Sequence, residues 1–236
     1  MIERMSGEMS ARLVSLLLFF AAVPAATQDL RPASFEHPEE KRRFLTLIEW
    51  PEISGKIEVI LSCFSQIQDN GKMKGTGCYL RTNYDEPFAK AVNEAARKAR
   101  LVPAVIDGKE RDVYVQFQVK FVKEEESEDI YLIMNPGYEE NVNAYGFGHI
   151  GGQRVISSNE PWSGACPQRA HYAVWVRAYL GEDGTADSAT IDHVDGIVPT
   201  ETCQEAIRQT IVTSRYTPAY SGGQPVPSTY LEAFSN

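Results

Sequence analysis

Ile57, Val59, Leu61, Cys63 and Ile67 alternate with Glu58, Ser62, Gln66 and Gln68, the period-two pattern of a strand that buries one face. Asn70-Gly71 supplies a two-residue hairpin turn, and the chain returns through residues 72–81. Pro87, preceded by Asp85 and Glu86, sits where a first helical turn accepts proline. Phe88, Ala91, Val92, Ala95 and Ala99 recur at i, i+3, i+4, i+7 and i+11, one stripe of a helix. Asp107-Gly108 then turns the chain into Val113, Val115, Phe117, Val119 and Phe121, a second alternating strand. The predicted order is strand, strand, helix, strand.

The order recurs. Val174, Val176, Ala178 and Leu180 lead to Asp183-Gly184, and a returning strand runs through Ile191. Thr202 and Glu205 have the spacing of a capping box. Cys203, Ala206, Ile207, Thr210 and Ile211 stripe the helix that follows, and Gly222-Gly223 turns into a last strand ending near Phe234. The repetition is also literal. ARLVPAVIDGKE at 99–110 is echoed by SRYTPAYSGGQP at 214–225, so that at an offset of 115 Arg100 falls on Arg215, Pro103 on Pro218, Ala104 on Ala219 and Gly108 on Gly223. A period of that length is a domain-sized duplication. The organisation read from it is a leader at 1–25, a module at 50–122, a linker at 123–164 and a second module at 165–236. Residues 37–50 predict a short helix and residues 130–134 an added strand. The stretch PGYEENVNAYGFGHIGGQ is too rich in Gly and Asn for a regular element. The fold class is α+β: two tandem β-β-α-β modules, each a small antiparallel sheet with a helix packed on it.

Arg4 and Arg12 precede an apolar run at residues 13–22, and Val23-Pro24-Ala25 follows with small residues where a signal peptidase reads. The run is about half of the ~20 residues that span a bilayer. A cleaved export signal and a periplasmic protein are expected; the alternative is an uncleaved inner-membrane anchor facing the periplasm. The net charge of −9 argues against nucleic acid and anionic membrane as partners.

Four cysteines in an exported chain suggest two disulfides, in any of three connectivities. Cys63 and Cys78 flank the Asn70-Gly71 turn symmetrically, so they face each other across the hairpin. Matching that turn to Asp183-Gly184 places Cys63 on Val176 and Cys78 on Ile191, an apolar pair where the first copy has a covalent one. Cys166 and Cys203 are left for each other, with Cys203 at the position that Phe88 holds in the first helix. The alternative is four free buried thiols. No CxxC spacing supports disulfide exchange.

Candidate chemistry is sparse. Gly146-Phe147-Gly148-His149-Ile150-Gly151 matches GxGxxG, but SSNEP soon follows and will not hold the helix a dinucleotide site needs; a linker is the better reading. His37, His149, His171 and His193 form no helix-spaced pair, although His171 and His193 fall near the ends of adjacent strands. No nucleophile triad or paired carboxylate stands out, and the run KEEESED at 123–129 reads as solvated. No catalytic residue, metal or cofactor is assigned.

The block FAKAVNEAARKARLVPAVIDGKERDVYVQFQVKFV resembles the C-terminal domain of the TonB family, with its Ala-rich helix, Pro-Ala step, Asp-Gly-Lys turn and closing strand. ETCQEAIRQTIVTSRYTPAYSGGQPVPSTYLEAF resembles it too, and CPQRA at 166–170 is similar to the family's entry sequence, with Cys166 in place of Tyr. Ala99 and Ser214 stand where the family has Trp, and a Pro/Lys/Glu-rich spanner is missing. The resemblance implies a non-enzymatic adaptor role, linked to TonB-type energy transduction and outer-membrane transport. It also implies peptide capture by strand addition, from a periplasmic or outer-membrane protein or the cell wall. The closing strands at 112–122 and 225–234 are the candidate edges, with Tyr114, Gln116, Gln118 and Lys120 as the outward row of the first. The competing expectation is a structural envelope protein whose edges are covered by residues 130–134 or by each other.

Overall fold

The computed structural model describes residues 29–125, 127–134, 139–167 and 171–235. The leader read at 1–25, the end of CPQRA and the start of the Gly- and Asn-rich stretch lie outside the described residues. The protein is α+β, with antiparallel sheets and few helices.

A short entry strand, β1 (Leu30–Arg31), precedes two 3-10 turns at Glu40–Arg42 and Leu45–Leu47, which stand where a helix was expected over 37–50. Strand β2 (Ile57–Ile67) and strand β3 (Met73–Tyr79) form the predicted hairpin, and α1 (Glu86–Lys98) follows with Pro87 in its first turn. Phe88, Val92 and Ala95 of the stripe are buried. Two short strands, β4 (Ala104–Ile106) and β5 (Lys109–Arg111), lead into β6 (Val113–Lys123), which pairs with β2 along its whole length. Phe88, Val92, Leu61, Phe117 and Phe121 belong to the first core.

The linker is more ordered than its composition suggests. It forms β7 (Glu128–Ile133), α2 (Glu139–Tyr145), β8 (Gln153–Val155) and α3 (Pro161–Ala165). The expectation of an irregular stretch is therefore corrected for α2 and β8: three residues with no period become a strand because neighbours on both sides pair with them. The second half runs β9 (Tyr172–Leu180), β10 (Ala186–Gly196), α4 (Glu201–Thr213), β11 (Tyr216–Thr217), β12 (Ala219–Ser221), β13 (Gln224–Val226) and β14 (Ser228–Ser235). Helix α4 is capped by the Thr200 hydroxyl, which accepts from the Cys203 N–H; the cap lies two residues before the expected Thr202.

Both expected disulfides form, Cys63–Cys78 and Cys166–Cys203. Ile191 lies opposite Val176 in the β9–β10 hairpin, as Cys78 lies opposite Cys63. The halves also share a tertiary contact. The Leu101 N–H donates to the Gly71 carbonyl at 2.9 Å, and the Tyr216 N–H to the Gly184 carbonyl at 3.1 Å. Both glycines have positive φ, and a Cβ on either would lie 2.1 or 2.2 Å from the carbonyl oxygen of Leu101 or Tyr216. Gly71→Ala or Gly184→Ala is expected to cost about 2 kcal/mol or more in urea unfolding. Gly108→Ala, at φ +72 but with open space around it, should cost only backbone strain of roughly 1 kcal/mol. Equal losses at all three positions would mean that the carbonyl approach carries no weight.

The halves are stitched into one body. Sheet order β11-β8-β6-β2-β3, with β7 also on β6, runs from the second half into the first. Strand β8 pairs with β6 at Val113 and Tyr114 and with β11 at Tyr216 and Thr217. The other main sheet is β10-β9-β14.

Candidate functional site

The row nominated on the first closing strand is occupied from within. Strand β6 is not an open edge: beyond β2, its other side is paired by β7 at residues 118–123 and by β8 at 113–114. The physical reason is the linker's apolar content, since Ile130, Leu132 and Met134 extend the first core and bring β7 with them. Tyr114 stacks on Phe64, Gln118 donates to the Ser62 hydroxyl at 3.2 Å and Lys120 pairs with Glu58 at 2.7 Å. Gln116 Nε2 donates to the Leu231 carbonyl across the junction of the halves.

The second nominated strand, β14, lies at the end of its sheet, but side chains cap part of that edge. Asn141 Nδ2 donates to the Thr229 carbonyl at 2.8 Å, and the Thr229 N–H donates back to Asn141 Oδ1 at 2.9 Å. A carboxamide thereby makes the two bonds a neighbouring strand would make. Gln153 does the same to the backbone of Ala33.

The outer faces of the two sheets meet at a cleft of about 260 Å³. Tyr79 and Trp175 meet with ring centroids 5.1 Å apart. Phe35, Met134, Tyr230 and Leu231 supply further apolar wall, and Ser62, Gln116, Gln153 and Thr229 the polar groups. Burial pushes the Tyr79 phenol up to about 12, reinforced by the charge of Glu232, so the ring is neutral at any physiological pH.

Below this cleft lies a buried ionic cluster that no sequence motif announces. Arg154 Nε and Nη2 donate to the two oxygens of Glu232, both at 2.7 Å. A second carboxylate, Glu160, pairs with Arg154 Nη1 and accepts from Trp162 Nε1 at 2.7 Å. The Tyr230 hydroxyl donates to Glu232 at 2.5 Å. The Arg154 and Glu232 side chains are each 4% exposed. Burial works against the Arg154 charge, but Glu232, with Tyr230 and Glu160, overcomes it and holds the guanidinium well above the ordinary arginine value.

Register shows what this cluster replaces. Ser34 bridges Val102 as Gln153 pairs with Thr217, so the next residues, Phe35 and Arg154, correspond. Phe117 lies opposite Cys63 as Glu232 lies opposite Val176, at the same offset of 115. In the first half Phe35, Phe44 and Phe117 pack at 5.1 to 5.4 Å between centroids. The second half puts a salt bridge where the first puts two phenylalanines.

The remaining sequence candidates separate. The GxGxxG match follows helix α2 and precedes strand β8, the reverse of the strand–glycines–helix order of a dinucleotide site. His193 pairs with Asp195 at 2.7 Å, and the buried His149 ring bonds the Gly146 carbonyl. Among the described residues no three His, Cys, Asp or Glu side chains gather as metal ligands would, and no helix is long and apolar enough to cross a membrane. The two disulfides fit an oxidising compartment.

Comparison with protein-family models, with curated proteins and with solved structures finds no match to this chain.

Proposed function

We propose that this is an exported, non-enzymatic adaptor built from two TonB C-terminal-like modules, which captures an extended segment of a periplasmic or outer-membrane protein by strand addition. The single observation that carries the reading is strand β7. It is the outermost strand beside β6, it keeps unbroken register with β6 from Glu128 to Ile133, and it exposes 52% of Tyr131. Edges that natural proteins leave unused are commonly interrupted by bulges or charge. Strand β10 carries two register breaks and β3 one, whereas β7 has none, its acids Glu128 and Asp129 being confined to its first two residues. Ile130 and Leu132 pack on the core, which leaves Tyr131 and Ile133 on the opposite face for a partner. The docking edge is thus moved from the closing strands to the linker strand that covers one of them.

A photoreactive phenylalanine analogue at Tyr131, irradiated in the native envelope, is expected to yield a covalent adduct with a second protein. The same analogue at Tyr179, 51% exposed, should yield none. The Tyr131→Lys, Ile133→Lys variant, carrying the analogue at Asp129, should lose the adduct while keeping its unfolding midpoint. No adduct at Tyr131, or equal adducts at both tyrosines, would overturn the reading. It would favour a structural envelope protein instead, a role supported by the way Asn141 and Gln116 use up backbone groups of β14.

A further inference from the structure

We infer that the cleft between the halves is a binding site for a neutral, largely apolar two-ring molecule, separate from the β7 edge. Size sets the first limit: a cavity of about 150 Å³ accepts one benzene ring, and this cleft offers about 260 Å³. Chemistry sets the second. The walls are rings and apolar side chains from both halves: Phe35, Tyr79 and Met134 on one side, Trp175, Tyr230 and Leu231 on the other. Trp175 and Tyr79 meet at an interplanar angle of 42°, and together they present aromatic surface to an aromatic guest.

The polar groups decide against a sugar or an ion. Gln153 spends both ends of its carboxamide on the Ala33 backbone, and Ser62 accepts from Gln118. Gln116 gives its Nε2 to Leu231. A glycan would need many fresh hydrogen bonds where the amide donors of Gln153 and Gln116 are already spent, and would forfeit its own to water. Among the described residues, no Lys, Arg, Asp, Glu or His lines the cleft. The two tyrosines there stay protonated, Tyr79 with its phenol pushed up to about 12 and Tyr230 with its phenol raised well above the ordinary value, in both cases by burial first and then by Glu232. A charged guest would be desolvated without a counter-charge at hand. Hydrogen-bonded pairing of β8 with β6 and with β11 keeps the walls in place without a ligand, so the site is formed in advance.

The test uses 6-propionyl-2-dimethylaminonaphthalene, a neutral two-ring dye whose emission moves to the blue in apolar surroundings, on the full chain. One dye per chain should bind saturably, and naphthalene should compete. The anionic 8-anilinonaphthalene-1-sulfonate should bind at least about tenfold more weakly. Trp175→Ala, which removes a wall, and Leu231→Trp, which fills the space, should each weaken dye binding roughly tenfold or more. Both should do so with urea midpoints near that of the parent; should one fail to fold, the other carries the test. Absence of saturable binding, binding unchanged in both variants, or equal binding of the anionic dye would each overturn the assignment. The lysine substitutions on β7 should leave dye binding untouched, so failure here and failure of the adaptor role are told apart.

Discussion

Arg154→Ala is expected to remove about 3–5 kcal/mol of stability, because it leaves two carboxylates buried without their cation. Glu232 is 4% exposed and Glu160 11% by side chain, so neither can recover its charge stabilisation from water. The informative companion is the pair Arg154→Phe with Glu232→Phe, which writes the first half's Phe35 and Phe117 into the second. Apolar replacements of buried ion pairs are often neutral or stabilising. The loss here should shrink to about 1–3 kcal/mol, the cost of a Tyr230 hydroxyl and a Glu160 carboxylate deprived of partners. Urea midpoints at constant m-value measure both. A cost below about 1 kcal/mol for Arg154→Ala would mean that the cluster is hydrated in solution, and a double variant worse than the single one would mean that the halves are not superposable there.

The second large effect falls on the disulfides, and unequally. Cys166 and Cys203 are 37 residues apart and Cys63 and Cys78 are 15 apart. Loop-closure entropy gives about 4 kcal/mol for the longer loop and about 3 kcal/mol for the shorter. The difference should widen in practice. Cys63 and Cys78 face each other across strands that are paired anyway, whereas Cys166–Cys203 fastens α3 to α4. Helix α3 carries Trp162, whose indole bonds Glu160 and packs edge-on against Phe234. Cys166→Ala with Cys203→Ala should therefore also change Trp162 emission, and should show a coupling of about 0.5–3 kcal/mol with Glu160→Gln in a double-mutant cycle. Equal losses for the two disulfides would contradict the loop argument. Intact mass on reduction supplies a direct check: a gain of four hydrogens counts two closed bonds.

Sequence pattern reached the parts of the fold that are set locally. Ile57–Ile67 and Val113–Lys123 are strands because alternate side chains reach one core, and Asn70-Gly71 places Cys63 against Cys78 within a few residues. Strand β8 escaped because Gln153–Val155 has no period of its own; partners some forty residues before it and sixty after it make it a strand. The covering of β6 by β7 and β8 escaped for the same reason, since an edge is defined by what fails to pair with it. The Arg154–Glu232 bond spans 78 positions, and charge in a core leaves no periodic trace. One signal was available: Glu232 occupies an inward position between Tyr230 and Phe234, and at the repeat offset it falls on Phe117. A carboxylate at the place of a buried phenylalanine predicts a buried cation, though not which one. The cleft was out of reach because its walls come from opposite halves of the chain.

The threading of β8 between the halves also bears on the order of events as the chain is made. The first half can form β2, β3, α1 and β6 once residue 123 has emerged, but Gln153–Val155 finds its second neighbour only when residues 216–217 arrive. Arg154 finds its bidentate carboxylate later still, on the last strand. A chain cut short before Glu232 would therefore present a guanidinium that the interior cannot accept with only Glu160 beside it. Arrival of β14 becomes the step that closes the second half around Arg154, and chains stopped before it would keep that half's backbone open to proteases.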